Sequence, residues 1–188
     1  QHILLLLIVP ALLLLSLPRS LPLATGARVL DHPFVCWVAG VGAMWFWHAP
    51  TLCNAAGSSG PVRALQTVSL LILGSAFWRQ ILAPREEERL SPPGAVLYLF
   101  SACITCSVLG IIITFSPVAV CSIYANLPSD HFGMLQTIRE GWGFTPERDQ
   151  QIGGLLMWVP MCLVYLSAIF TQVARWFEEP SGTAMREL

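Results

Sequence analysis

Five stretches of this chain are apolar over lengths close to that of a bilayer-spanning helix, and the polar residues gather in the gaps between them. The stretches cover approximately residues 2–17, 33–56, 62–82, 93–118 and 152–177. About 20 apolar residues rising 1.5 Å each suffice to cross the hydrocarbon core. The last stretch is the plainest: from Ile152 to Phe177 there is no acidic residue and a single base, Arg175, close to its end. Within it Gln150, Gly154, Met157, Met161 and Ala168 recur at helical spacing, while Leu155, Val159, Leu163, Leu166 and Phe170 occupy other faces. One stripe is therefore small or polarizable and the remainder greasy. Pro160 cannot donate to the carbonyl of Leu156 and clashes with it, which predicts a bend of a kind that packed membrane helices tolerate. The pattern predicts an all-α polytopic transmembrane bundle, one membrane domain over 1–188 with about five visible spans.

The apolar run of residues 3–17, ILLLLIVPALLLLSL, is short for a full span, and the chain starts at Gln1. The end of a spanning helix and the core of a signal peptide compete as readings. A signal peptide carries a basic region ahead of its apolar core, and none is present, which favours the spanning helix. Arg19 to Asp31 is a connector, Pro33 opens the second span, and Trp45, Phe46 and Trp47 place its far end at the headgroup level. Residues 57–61 form a turn and 84–89, PREEER, a charged loop. Residues 119–151 form a loop long enough to suggest function. Within it, 128–140 is expected to be a short interfacial helix, with Ser129 as its cap and Phe132, Leu135 and Ile138 on one apolar edge.

Composition strengthens the membrane reading, since 55% of residues are hydrophobic and only 11% charged, against about 25% charged in soluble domains. All ten basic residues are arginine and the net charge is −1, so there is no basic patch to attract nucleic acid. The arginines set an orientation. Arg19, Arg28, Arg79, Arg85, Arg89, Arg175 and Arg186 fall on one side and Arg63, Arg139 and Arg148 on the other. Positive charge stays cytoplasmic, which places the C-terminus inside and the loops 57–61 and 119–151 outside. His48, His131, Met134 and the Asp149 region then share the extracytoplasmic face. Four of the six cysteines, Cys36, Cys103, Cys106 and Cys162, fall inside apolar runs as small hydrophobes. Cys53 and Cys121 approach a membrane surface, where pairing and buried free thiols both remain open.

The run DQQIGGLLMWVP, Asp149 to Pro160, resembles the DQQ-x-GG-x-x-MWVP signature of the CtaG-type assembly factors of cytochrome c oxidase, the multispanning kind associated with caa oxidases. DHPFVCW (31–37), WFWHAPTL (45–52) and YLFSACITCSVLGIIITFSP (98–117) stand in the order that family shows, and the resemblance covers roughly residues 28–177. It implies biogenesis of a haem–copper oxidase, with copper as the ion handled. The family's H-x-x-E-H pattern at the start of the third span is replaced here by Arg63, Gln66 and Thr67. None of the three is a good copper ligand, so this is a divergent member. The family also passes more briefly from its fourth span to the DQQ run, which makes 119–151 look like an insertion for a partner contact.

Copper directs attention to His, Met and Cys on the outer face, because thioethers and thiolates suit Cu(I) and imidazole suits Cu(II). His48 stands one helical turn from Met44 and can point into the bundle; the alternative is a histidine bonded to a backbone carbonyl between helices. His131 and Met134 are a second metal candidate, against a solvated histidine beside a lipid-dipping methionine. The C-x-x-C of Cys103 and Cys106 lies on the order of 14 Å into a span, where a small-residue stripe with Gly110 and Thr114 favours helix packing over metal. Asp149, Gln150, Gln151, Trp158 and Pro160 are the candidate partner or structural clamp, with Asp149 suited to a helix N-terminus.

No serine–histidine–acid set, phosphate loop or paired carboxylate appears, so catalysis is not expected. The expected function is copper insertion into, or biogenesis of, a haem–copper oxidase in the bacterial inner membrane. The alternative is an accessory subunit bound to a respiratory oxidase complex with no metal of its own.

Overall fold

The computed structural model describes residues 1–23, 31–125, 134 and 137–178. Those residues are mostly helical, with no strand among them. A π-helical turn, Leu4–Ile8, leads into α1, Val9–Ser16; α2 spans Pro33–His48, α3 Pro50–Ser58 and α4 Gly60–Leu82. A 3-10 turn at Glu86–Glu88 precedes α5, Pro92–Phe115, the four-residue α6 at Ser122–Ala125, a π turn at Thr137–Gly141, and α7, Pro146–Glu178. Prolines open α2, α3, α4 and α5 within their first two positions, where a missing N–H costs nothing.

Three of these helices, α4, α5 and α7, are long and apolar enough to cross a membrane, and the shorter Leu4–Ser16 is also apolar. The expected second span, 33–56, is not one helix. It breaks at Ala49, whose ψ of 131° is extended, because a residue before proline is pushed out of the α region and Pro50 follows. The fourth span ends at Phe115 rather than 118 for the same reason: Ser116, before Pro117, has ψ 126°. The turn expected at 57–61 contracts to Ser59. The last helix begins earlier than expected and runs unbroken through Pro160. The expected helix at 128–140 falls mostly outside the described residues, including Ser129, His131, Phe132 and Leu135; Thr137–Gly141 is a single helical turn.

The core joins every long helix. Leu7, Met44, Leu70, Leu99, Cys106 and Met161 are fully enclosed, and Phe77, Trp78, Tyr98 and Tyr165 form an aromatic cluster among them. Trp37 Nε1 donates to the Tyr98 carbonyl at 3.2 Å and the Tyr98 hydroxyl to the Phe77 carbonyl at 3.3 Å, whereas the buried Trp78 Nε1 has no partner among the described residues. Outward, α5 presents Leu97, Phe100, Ile104 and Phe115, and α7 presents Leu155, Val159, Leu163, Leu166 and Phe170. These were the greasy faces expected of α7, while Gly154, Met157 and Met161 turn inward.

The bundle ends differ chemically. At the Asp31 end, Arg79 pairs with Asp31 at 2.6 Å and donates to the Leu23 carbonyl at 3.0 Å, and Arg89 Nε donates to the Ala83 carbonyl at 2.6 Å, after α4. Arg89 thereby closes the carbonyl end of α4. The His48 end carries instead the polar groups that follow.

Candidate functional site

Two connections build the His48 end. Gln150, in the second turn of α7, reaches across to the chain leaving α5: its Nε2 donates to the carbonyls of Ile113 at 3.2 Å and Val118 at 3.1 Å, and its Oε1 accepts from Val120 N at 2.7 Å. A disulfide then ties Cys121 to Cys53 of α3, with Cα atoms 5.8 Å apart. Beside it Asn54 Oδ1 accepts from Ile123 N at 2.9 Å and from the Ser122 hydroxyl at 3.3 Å. The segment 116–123 is thus laced to α7 at one end and α3 at the other, over the tip of α2.

Gln150 is the member of the DQQ run that acts as a clamp. Its loss as Gln150→Ala leaves the Ile113 carbonyl and the Val120 amide without partners, while the Val118 carbonyl keeps the Ser116 hydroxyl at 2.8 Å, a change expected to cost about 2 kcal/mol. Unfolding in mixed micelles should show that loss, whereas Gln151→Ala, at an exposed position, should not. The expected cap role of Asp149 passes to Thr145. The Arg148 amide donates to Thr145 Oγ1 at 3.3 Å, with Pro146 as first helical residue, and Asp149 stays in the first turn where the dipole favours an acid. In the same turn Glu147 is held below the usual carboxylate range by its own backbone amide and the Thr145 hydroxyl. Trp158 packs beneath α5 at Gly110, and Pro160 is exposed on α7.

Beneath this lacing lies a cavity of about 240 Å³, bordered by His48, Val120, Asp149, Gln150, Gly154 and Met157. A second, of about 270 Å³, is bordered by Gln1, His2, His48, Gly153, Leu156 and Met157. His48, Gly153 and Met157 belong to both walls. His48 Nδ1 lies 2.6 Å from the carbonyl of Met44, one turn back in the same helix rather than on a neighbouring one. That bond requires Nδ1 to carry the proton, which leaves the Nε2 lone pair free. Met44 itself is fully buried in the core, and it serves His48 through its carbonyl.

The imidazole of His2 meets that of His48 edge to face, with ring centroids 4.7 Å apart, and the side chain of Gln66 is within hydrogen-bonding reach of His2. The sequence reading passed over His2. A signal was available: His2 opens the first span and His48 closes the long helix of the second, so antiparallel neighbours bring both to the same end. Met134 is exposed, and its expected partner His131 lies outside the described residues. Arg63, Gln66 and Thr67 have their own uses. Arg63 donates from Nε to the Ala56 carbonyl at 3.2 Å and from Nη2 to that of Gly57 at 2.9 Å, closing the end of α3. Gln66 is buried against His2, and Thr67 Oγ1 donates back to the Arg63 carbonyl at 2.9 Å.

Cys103 has a neighbour that the sequence did not disclose. Its sulfur lies 3.9 Å from that of Cys162 on α7, and the Ser107 hydroxyl lies 3.2 Å from the same Cys162 sulfur. Cys106 is enclosed beside Tyr165, in keeping with a packing role. No cluster of three or more His, Cys, Asp or Glu suited to a metal occurs among the described residues.

A family model described as cytochrome c oxidase caa3 assembly factor (Caa3_CtaG) matches residues 1–179. The chain belongs to this family. Nothing among curated proteins or solved structures matches it. Membership assigns the caa3 assembly factor a role in oxidase assembly and, with its apolar helices, to a membrane. Membership suggests a non-catalytic role and implies oxidase components as the general class of partner.

Proposed function

We propose that this assembly factor helps copper reach a haem–copper oxidase on the extracytoplasmic side of the bacterial inner membrane. The observation that carries the reading is the placement of His48: a family member matched over 1–179 presents an imidazole, with Nδ1 committed to the Met44 carbonyl, to two cavities at one end of the bundle. Copper is written here as cargo. The residues suit it, because an imidazole with a free Nε2 and a thioether, Met157, share the walls of both cavities.

Two features support the outward orientation. Arginine is concentrated at the Asp31 end and in the C-terminal tail, which the positive-inside rule places in the cytoplasm. The Cys53–Cys121 disulfide stands at the His48 end, and disulfides persist in oxidising compartments. In this reading Leu4–Ser16 and the broken pair α2 and α3 complete five spans around α4, α5 and α7, and Met134 with His131 lies on the outer loop as a lesser candidate for metal.

The second reading is an accessory subunit that stays bound to a respiratory oxidase and carries no metal. Arg63 favours it: where relatives carry the first histidine of H-x-x-E-H, this chain has a guanidinium engaged in closing α3. Copurification in mild detergent followed by metal analysis separates the two. A copper carrier should retain copper near one equivalent and lose it on His48→Ala. Association with the oxidase through detergent, with no copper above the oxidase's own, would exclude the carrier and leave the accessory subunit.

A further inference from the structure

We infer that Cu(I) is held between His2, His48 and Met157, a site of two imidazoles and one thioether. The inference rests on the copper reading above and specifies where the ion sits. The two rings are neighbours, with centroids 4.7 Å apart. The Nδ1–H of His48 is spent on the Met44 carbonyl at 2.6 Å, so the nitrogen left for an ion is Nε2; a ligating histidine held by a carbonyl through its other nitrogen is the usual arrangement. Met157 lines both cavities that meet at His48 and is 9% exposed, turned inward rather than to lipid.

The ligand set selects the oxidation state. A thioether with two neutral imidazoles is a soft donor set without charge, which fits a monovalent, polarizable ion better than a hard divalent one. Loading has a route, since the 240 Å³ cavity between α7 and the 116–123 segment shares His48 and Met157 with the cavity that His2 lines. Asp149 borders the 240 Å³ cavity and not the one lined by His2, and a carboxylate there attracts a cation without binding it as softly as the imidazoles and the thioether.

Cu(I) itself, presented as its bicinchoninate complex to the purified full chain in micelles, is the probe. The wild-type chain should withdraw about one equivalent from the chelator. His2→Ala and His48→Ala should each weaken retention on the order of 100-fold, and Met157→Leu, which keeps volume and apolarity, on the order of 10-fold. X-ray absorption at the copper edge should show a sulfur neighbour in the wild type and none in Met157→Leu, a signature that a merely structural role would not move. Unfolding midpoints within a few degrees of wild type qualify each variant. Copper retained equally by His2→Ala and Met157→Leu would overturn this site while leaving the copper reading standing. A wild-type chain that takes no Cu(I) from the chelator would overturn both.

Discussion

Gly154→Leu should collapse the His48 end of the bundle, with a loss of at least about 3 kcal/mol, at the upper end of what overpacking costs. A Cβ at Gly154 would stand 3.0 Å from the backbone nitrogen and 3.1 Å from the Cα of Thr114. Backbone on an opposing helix cannot step aside as a side-chain tip can, so α5 and α7 must separate. Close approach through small residues is how such helices gain dispersion where the surrounding lipid offers no hydrophobic drive. Separation would also withdraw Gln150 from the Ile113 and Val118 carbonyls. Gly153 supplies the control: a Cβ there meets nothing within 4 Å, so Gly153→Ala should be neutral or stabilising by up to about 1 kcal/mol. Unfolding in mixed micelles should rank them wild type or Gly153→Ala first and Gly154→Leu far below. Equal stability of the two variants would mean that α5 and α7 do not approach closely at Gly154.

The contrast between Gly153 and Gly154 shows how much of the fold the sequence already held. Helical spacing placed Gly154 with Met157 and Met161 on one stripe and Leu155, Val159 and Phe170 elsewhere, and the buried and exposed residues of α7 divide along that line. Periodicity reports which side of a helix is special; it is silent about what lies opposite. The sequence therefore could not pair Cys103 with Cys162, which are 59 residues apart, nor show that Gln150 rather than Asp149 does the bridging. Proline chemistry was legible in principle at Ala49 and Ser116, where the residue before Pro leaves the helix, but continuous hydrophobicity on both sides concealed the break. The site followed the same division. His48 stood out as a histidine at the end of a span, whereas His2, at the head of a greasy run, acquires meaning only from the ring it meets.

Replacing both Cys53 and Cys121 by serine should be the other costly change, destabilising the chain by about 4 kcal/mol if the bond acts by restricting the unfolded chain. The two cysteines are 68 positions apart, so the closed loop spans α4, α5 and the turn between them, and the entropic benefit grows with loop length. Asn54 and its bonds to residues 122 and 123 would remain, but alone they would hold the 116–123 segment over α2 less firmly. The bond also bears on which way the chain faces. In intact cells a membrane-impermeant maleimide should leave both cysteines untouched until an external reductant is added, and then label them; the serine variant should stay unlabelled throughout. Labelling only after the cells are opened would put the His48 end in the cytoplasm. The arginine asymmetry would then have been misread, and no copper could pass from this mouth to an oxidase subunit on the outer face. Labelling after external reduction joins two independent physical facts at one end of the bundle: thiols oxidise where arginines are scarce, and His48 opens on that side.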